Sequence, residues 1–445
     1  MNPVTFFEES KLKPFHLILI FWLFIILMFE GYDVVIYGAT IPFLKEEWGI
    51  SDIAAGSIGS YTTIGTAIGA VVFGLYSDRF GRKRIIIFTT LIFSVFTMLS
   101  GFAPNALLFT ICRVIAGLGF GGAMPTIASL ISEYAPLKYR AAIISFIFCG
   151  YSVGAMGASF IGRALLPEFG WQPIYWIGAI PLLFIPILLK VLPESTVYLL
   201  QKKQHAQIAA TAEKIEPGVA TNFHYSYQQP AKGQKSPVRA LFQKRFAVTT
   251  IMFWLSCFCT FILMYSLNTW LPTLMMQAGY NLSSSLMFIA VLQLGSIVGT
   301  LTLSTLIQKA GFKNVLMPLY LVGAVALTLI GFSTNLYVAY VLIFLIGAAT
   351  LGLQNMSNAF VAAYYPAEVR SVALGSTMAF GRIGSILAPT YVAVLLTMDL
   401  QPQYNFIAIG IAAIFGMIAM FFINDKHADY AEEELETIPT KIVKA

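Results

Sequence analysis

Residues 69–84 read GAVVFGLYSDRFGRKR, and residues 299–314, 230 positions later, read GTLTLSTLIQKAGFKN. The two segments match at glycine and lysine landmarks, and the same offset aligns further landmarks elsewhere in the chain. The matched pairs are Gly69 with Gly299, Gly81 with Gly311, Lys83 with Lys313, Gly117 with Gly347, Gly122 with Gly352, Pro136 with Pro366, Arg140 with Arg370, and Gly154 with Gly384. One offset maintained across several connecting loops indicates a duplication, so we expect two parallel repeats of one architecture.

The composition indicates that these repeats lie in a membrane. Of the 445 residues, 58% are hydrophobic and 11% are charged, whereas a soluble domain carries about 25% charged residues. A helix needs about 20 apolar residues to cross a bilayer. Windows of that kind cover 17–43, 54–77, 85–102, 106–132, 140–163, 171–192, 247–275, 284–307, 314–333, 336–360, 371–396 and 403–423, and we number the corresponding helices 1 to 12.

These windows predict an all-α membrane protein with twelve transmembrane helices in two six-helix bundles. We expect an N-terminal bundle over 1–192, a polar linker over 193–245, a C-terminal bundle over 246–424 and a tail over 425–445. Lysine and arginine concentrate in alternate loops, and the opposite loops hold only Lys45 and Arg163. The positive-inside rule therefore predicts that both termini and the linker are cytoplasmic, in an inner or plasma membrane. The net charge of +6 follows this asymmetry and does not indicate a nucleic-acid partner.

Ionised side chains inside a span are expensive and usually functional. Residues 26–37, ILMFEGYDVVIY, put Glu30 and Asp33 into helix 1, while Arg113 lies in helix 4 and Arg382 in helix 11. At about 1.5 Å per residue, Asp33 lies roughly 24 Å from the cytoplasmic end of helix 1, and Arg113 roughly 10 Å from the outer end of helix 4. In a slab about 30 Å thick, Asp33 and Arg113 are therefore expected at similar heights.

The segment GLYSDRFGRKR at 74–84 resembles the signature loop between helices 2 and 3 of the major facilitator superfamily, G-x-x-x-D-R-x-G-R-[RK]. The resemblance implies a conformational latch on the cytoplasmic side. Gly74 is expected to allow close helix approach, Gly81 to permit a tight turn, and Asp78 to accept from a helix N-terminus and pair with Arg79 or Arg82. The expected latch comprises Gly74, Asp78, Arg79, Gly81, Arg82, Glu133 and Arg140. In the second repeat Gln308 replaces the acid, so the latch should depend mainly on the first half.

A finer resemblance comes from EGYDVVIYGATIP (30–42), GFGGAMPTIASLISEYAPLKYR (119–140), NTWLPTLM (268–275) and GRIGSILAP (381–389). These segments are similar to the aromatic acid:proton symporters of that superfamily, which carry benzoate, hydroxybenzoates, protocatechuate, vanillate or muconate. The resemblance implies proton-coupled import by alternating access, around a cavity lined by helices 1, 4, 7 and 10. That group typically has Asp-Gly-x-Asp in helix 1, whereas this chain has Glu30 at the first acidic position.

We expect the helix 1 acids to carry the coupling proton. Glu30 and Asp33 share a helical face, two close carboxylates disfavour joint ionisation, and a nearby arginine opposes protonation. The hypothesis is that Asp33 is the main proton site, that Glu30 assists, and that Arg113 modulates both and contacts substrate. The alternative is a static buried ion pair.

The remaining candidates form a predicted substrate pocket. Arg382 has no acid at its level in the second half, so its planar guanidinium is expected to hold a substrate carboxylate. Alternatively, it caps backbone carbonyls or reaches the helix 1 acids. Polar side chains in spans tend to face protein or a cavity. They are Tyr265, Asn268, Trp270, Gln293, Gln354, Asn355 and Asn358. Trp270 could equally be an interfacial belt residue.

The sequence thus predicts a monomeric, proton-coupled symporter that imports a small aromatic carboxylate through the lipid bilayer. No cofactor or metal is expected beyond the coupling proton. The chain shows no nucleotide loop, metal cluster or nucleophile constellation, which argues against an enzyme. The alternatives are a proton symporter for a muconate-, dicarboxylate- or quinate-like acid, a drug:proton antiporter, and a transporter-like sensor without turnover.

Overall fold

The computed structural model describes residues 2–225, 241–243, 245–424 and 428. Within these residues, twelve helices are long and apolar enough to cross a membrane, which confirms the predicted all-α architecture. Helices 1 to 6 span Pro14–Trp48, Asp52–Phe80, Arg82–Ser100, Ala106–Tyr134, Arg140–Phe169 and Gln172–Val191. Helices 7 to 12 span Ala247–Gln277, Leu282–Ala310, Phe312–Ile330, Leu336–Tyr364, Val369–Leu396 and Pro402–Phe421.

The chain divides into two compact units, Met1–Pro230 and Ala231–Ala445. The first contains helices 1 to 6 and the described residues of the linker up to 225. The second contains helices 7 to 12. The predicted tail over 425–445 lies outside the described residues except for Ala428, and so do residues 226–240 and 244 of the predicted linker.

Helices 1 and 5 make backbone contact in the first unit. A Cβ added at Gly31 would lie 1.8 Å from the carbonyl oxygen of Tyr151, so only glycine fits between the two helices. Glu30 directly precedes Gly31, and Asp33 follows it by two positions, so both acids lie within one helical turn of this contact. Both carboxylate side chains are consequently buried, with 6% and 2% of their residues' surface exposed.

Helix 10 is interrupted by a π-helical turn. An α-helical segment Leu336–Gly347 is followed by the π-helical segment Ala348–Gly352, and the α-helix resumes at Leu353–Tyr364. Such turns are rare and are frequently found at functional sites, because they rotate the side chains that follow. Gln354 and Asn355 come directly after this turn.

The described part of the predicted linker is folded, which the sequence interpretation of a polar segment missed. Short helices cover Thr196–Gln201, His205–Glu213 and Val219–Asn222, and a further helix, Pro3–Glu9, precedes helix 1. They form a cap in which Phe7 is fully buried against Tyr134, with ring centroids 4.8 Å apart. The spacing of Ile208, Ala212 and Ile215, all buried, is the sequence signal that could have revealed an apolar helix face.

The two units repeat local details at the predicted offset. Gly81 and Gly311 both adopt positive φ, at 97° and 81°. The Tyr134 hydroxyl donates to the carbonyl oxygen of Glu194, and 230 residues later the Tyr364 hydroxyl donates to that of Asn424. The duplication inferred from the sequence therefore extends to individual hydrogen bonds.

Candidate functional site

Asp33 of helix 1 and Arg113 of helix 4 form a buried ion pair in the first unit. Arg113 Nη1 donates to Asp33 Oδ1 at 2.6 Å, and Nη2 donates to the Asp33 carbonyl oxygen at 3.4 Å. The side chains are only 1% and 2% exposed. The structure thus brings together the two charges whose depths matched in the sequence.

Thr97 of helix 3 completes this pair, and the sequence interpretation missed it. Its hydroxyl donates to Asp33 Oδ1 at 2.6 Å, so the same carboxylate oxygen accepts from both a hydroxyl and a guanidinium. The available signal was a row of hydroxyls at helical spacing, Thr90, Ser94 and Thr97, each at most 1% exposed. Buried hydroxyls at such spacing indicate a polar surface inside a bundle.

Two tyrosines enclose the Arg113 guanidinium. Its central carbon lies 5.9 Å from the ring centroid of Tyr37 and 5.8 Å from that of Tyr175. The Tyr175 hydroxyl lies 2.9 Å from Thr40 Oγ1, which fixes that ring. A cation over aromatic faces in a desolvated site is stabilised by the ring quadrupoles, so the pocket holds the guanidinium from several directions.

The second oxygen of Asp33 is in a different environment. Oδ2 is buried, and among the described residues it has no hydrogen-bond partner. A buried acceptor without a partner costs about 1–3 kcal/mol. Glu30 lies one helical turn away on the same face and is also buried. The carboxylate therefore has one oxygen that accepts two hydrogen bonds and one oxygen without a hydrogen-bond partner among the described residues.

A second cluster lies where helices 2, 3 and 4 meet the linker. Arg82 pairs with Glu133 and donates to the Ser129 carbonyl oxygen at 2.7 Å. Glu133 also accepts from the Ser195 hydroxyl at 2.9 Å and from the Thr196 amide at 2.7 Å. These bonds tie the predicted latch loop to the linker within the first unit.

The loop itself differs from expectation at two residues. Asp78 pairs with Arg82 at 3.5 Å, which is one of its two expected partners, but its side chain is 76% exposed and does not cap a helix N-terminus among the described residues. Within the described residues, the helix N-terminus is capped instead by Glu194, whose Oε1 accepts from the Lys83 amide at 3.0 Å. The expectation for Gly74 was also wrong, because within its own bundle a Cβ at that position would meet no atom within 4 Å.

Gly81 is required at the turn, as predicted, and for a further reason. Its φ of 97° favours glycine, and an added Cβ would lie 2.4 Å from Glu194 Oε2. The missing side chain is thus the space that the capping carboxylate occupies. Arg140, the remaining latch candidate, pairs with Glu8 of the N-terminal helix at 3.1 Å.

The third cluster lies in the second unit around Arg382. Arg382 Nη1 donates to the Tyr265 hydroxyl at 3.1 Å, and its central carbon lies 5.7 Å from the Phe261 ring centroid. Among the described residues it forms no ion pair. Arg382 and Tyr265 are half-buried, whereas Phe261 is 3% exposed. The guanidinium is therefore held in place by neutral groups.

Amide side chains of helix 10 lie near the same part of helix 7. Gln354 Nε2 donates to Asn358 Oδ1 at 3.1 Å and lies 3.7 Å from Cys257 Sγ, one helical turn before Phe261. Asn355 donates to Thr300 of helix 8 at 3.3 Å. These two neighbouring amides, which lie in the first turn of the α-helix after the π-helical segment, therefore have different partners.

The remaining pocket candidates make contacts elsewhere. Gln293 Nε2 donates to Asn268 Oδ1 at 3.0 Å, so these two form a buried amide pair between helices 7 and 8. Trp270 is fully buried, and its indole donates to the Pro389 carbonyl oxygen at 2.8 Å. This burial contradicts the interfacial-belt alternative and shows Trp270 packed between helices 7 and 11, while its contact with a substrate stays a prediction.

Comparisons with known proteins agree with this fold. The Major Facilitator Superfamily profile matches residues 23–389 and 290–445. The chain is 38% identical to the benzoate transport protein of Acinetobacter baylyi, over 98% of this chain and 96% of that protein. It is 35% identical to the gentisate transporter of Corynebacterium glutamicum, over 91% of this chain and 86% of that protein.

Among solved structures, the xylose transporter XylE from E. coli, in a partially occluded inward open conformation, superposes with a TM-score of 0.71. The match covers 92% of this chain and 100% of that one at 19% sequence identity, so it bears on the fold alone. With the twelve spans and the profile match, the conclusion is that this chain belongs to the Major Facilitator Superfamily of membrane transporters and is, within it, a relative of the aromatic-acid transporters.

Proposed function

We propose that this transporter imports a small aromatic monocarboxylate of the benzoate and hydroxybenzoate class together with protons. The observation that carries the proposal is Arg382, a guanidinium inside a span whose side-chain partners among the described residues are the Tyr265 hydroxyl and the Phe261 ring. A buried or half-buried charge needs a counter-charge, and a planar carboxylate matches the guanidinium fork. The named substrates of the relatives, benzoate and gentisate, each combine an aromatic ring with one carboxylate.

The coupling proton is assigned to Asp33. Its Oδ1 is held by Arg113 and Thr97, and its buried Oδ2 has no hydrogen-bond partner in the described part of the chain. A proton on Oδ2 neutralises the carboxylate and weakens its hold on Arg113, so binding a proton also loosens the contact between helices 1 and 4. Glu30, one turn away, is placed to exchange that proton. Each proton that moves down about 100 mV supplies roughly 2.3 kcal/mol.

The remaining parts follow from the superfamily. The protein is proposed to be a monomer in the inner membrane that transports by alternating access of its two bundles. Both termini are expected to be cytoplasmic according to the positive-inside rule. The Arg82–Glu133 pair and the Glu194 cap are proposed to keep the cytoplasmic end of the first bundle rigid. Asp78, which is largely exposed, is the acid that remains accessible to a partner surface when the latch closes.

A ligand panel tests the substrate class. Purified protein is assayed for binding of benzoate, 4-hydroxybenzoate, muconate, quinate and a cationic drug, each with wild type and Arg382→Ala. We expect the aromatic monocarboxylates to bind wild type and to lose at least tenfold in affinity in the variant, because a charge-assisted bidentate contact is removed. Preferential binding of muconate, quinate or the drug would reject the aromatic class. Unchanged benzoate affinity in Arg382→Ala would reject the anchor.

A further inference from the structure

We infer that Phe261 positions the Arg382 guanidinium for the substrate carboxylate. The Tyr265 hydroxyl is the hydrogen-bond partner of that guanidinium until the carboxylate binds and displaces it. The inference rests on the proposed function and deepens it, because it assigns the affinity for the acid group to two aromatic residues of helix 7. Neither residue carries charge, and both act through Arg382.

The first observation is the stacked aromatic surface against which the Arg382 guanidinium lies. The Arg382 central carbon lies 5.7 Å from the Phe261 centroid, and the Phe261 and Tyr265 rings are stacked, with centroids 5.9 Å apart and planes inclined by 18°. Stacking between residues four apart on one helix fixes both rings. The guanidinium therefore rests on a rigid aromatic surface and does not sample many rotamers.

The second ground is the residue before Arg382. A Cβ at Gly381 would lie 2.5 Å from Cys257 Sγ and 3.2 Å from a ring carbon of Phe261. Helix 11 can thus approach helix 7 closely only because this position is glycine. The close approach brings the base of the Arg382 side chain directly beside the Phe261 ring.

The third ground is a comparison of the two arginines inside spans. Arg113 lies beside two tyrosine rings and bonds to the carboxylate of Asp33. Arg382 also contacts an aromatic ring and a tyrosine hydroxyl, but in the described residues no carboxylate completes its site. Both arginines thus contact aromatic rings, and the difference between the two sites is the carboxylate that only Arg113 has among the described residues. The geometry therefore leaves the anionic component of the Arg382 site to the substrate.

In the absence of substrate, the Tyr265 hydroxyl accepts a hydrogen bond from the Arg382 guanidinium. Its bond to Nη1, at 3.1 Å, joins a cation to a neutral acceptor. A carboxylate brings the opposite charge and accepts two parallel N–H bonds from the guanidinium fork, so it displaces the hydroxyl. Because Tyr265 is half-buried, its ring can move aside without leaving the stack entirely.

The test compares benzoate with benzamide, a neutral molecule of nearly the same shape. Inhibition constants for both are measured against labelled benzoate uptake in vesicles carrying full-length protein. For Phe261→Leu we expect benzoate affinity to fall roughly three- to tenfold, with the maximal rate retained and benzamide unchanged, because a cation–π contact acts only through the charge. Phe261→Tyr should restore the benzoate value.

Tyr265→Phe provides an effect of opposite sign. It keeps the ring stack and removes the competing hydroxyl, so benzoate should bind about two- to threefold more tightly, because it no longer displaces a hydrogen-bond partner of the guanidinium. The matched control is Phe380→Leu, which removes a ring of helix 11 that is 37% exposed and stacked on Trp254. It should change neither constant.

The outcomes separate the inference from the proposed function. Two results would overturn the positioning role of Phe261 and leave Arg382 as the substrate anchor. In the first, Phe261→Leu weakens the binding of benzoate and benzamide equally. In the second, Phe261→Leu changes neither affinity while Arg382→Ala abolishes benzoate binding. If Arg382→Ala binds benzoate as tightly as wild type does, Arg382 is not the substrate anchor, and Phe261 cannot act through it. Size-exclusion profiles and melting temperatures of every variant identify any loss that is due to misfolding.

Discussion

Arg113 Nη1 lies 2.6 Å from Asp33 Oδ1, while Oδ2 of the same carboxylate is buried without a hydrogen-bond partner among the described residues. One side of the acid is thus committed to a cation and a hydroxyl, and the other side is open to a proton. A purely structural ion pair gains most when all its lone pairs are satisfied. The asymmetry of this carboxylate is therefore the structural basis for assigning it to coupling.

Neutralising Asp33 should separate coupling from transport. Asp33→Asn keeps an oxygen that accepts from Arg113 and Thr97 but cannot bind a proton, so gradient-driven accumulation of benzoate is expected to be lost. Exchange of labelled for unlabelled benzoate across vesicles without a gradient should continue. The matched control is Asp52→Asn, which removes a carboxylate paired with Lys45 outside this cluster. Wild-type accumulation by Asp33→Asn would exclude Asp33 as the proton site.

Thr97 should set the pH range of uptake. Thr97→Val preserves shape but removes the hydroxyl that stabilises the ionised carboxylate. The carboxylate then keeps Arg113 but loses its hydroxyl donor, so the pH of half-maximal uptake should rise relative to wild type. Thr89→Val is the control, because the bonds of the Thr89 hydroxyl within the described chain go to carbonyls of its own helix. A profile that stays in place, or moves to lower pH, would contradict the role of Thr97.

The Gly81 turn can be tested against its repeat. Gly81→Ala introduces both an unfavourable positive φ and a clash with Glu194, whereas Gly311→Ala introduces only the positive φ, since nothing lies within 4 Å. Strain at such a position costs about 1–3 kcal/mol. Thermal unfolding of purified protein should therefore show a larger loss for Gly81→Ala than for Gly311→Ala. Equal losses would show that the Glu194 cap contributes nothing measurable.

The N-terminal helix should contribute to the stability of the first bundle. Phe7 is fully buried against Tyr134, so Phe7→Ala is expected to lower the free energy of unfolding by about 3–5 kcal/mol. Phe169→Ala, which truncates a ring that is 61% exposed, is the control and should have little effect. Chemical denaturation in detergent measures both. If the denaturation midpoint of Phe7→Ala equals that of wild type, the N-terminal helix does not unfold cooperatively with the first bundle.

The sequence predicted what depends on regular geometry. The rise per residue of a helix is constant, so the depths of Asp33 and Arg113 were calculable and the two side chains do meet. The 230-residue offset likewise anticipated the matching turns at Gly81 and Gly311. The count of twelve spans followed from hydropathy, because every span must satisfy its own backbone.

Contacts that depend on the facing helix were not predictable. Thr97 is one of several buried hydroxyls, and only the packing of helix 3 reveals that it faces Asp33. Phe261 is an apolar residue in an apolar span, so the sequence alone cannot distinguish it from a lipid-facing or core phenylalanine. Glu194 reaches the Lys83 amide across 111 residues of chain, and no local pattern encodes such a contact.

The most direct test of proton coupling is labelled benzoate uptake into vesicles with an imposed pH gradient. Undissociated benzoic acid crosses lipid by itself, so the signal is the difference between wild-type vesicles and vesicles with the same amount of Asp33→Asn. We predict that an acidic exterior produces additional, transient accumulation in wild-type vesicles and that a protonophore abolishes it. Equal uptake by the two preparations at every gradient would contradict the account.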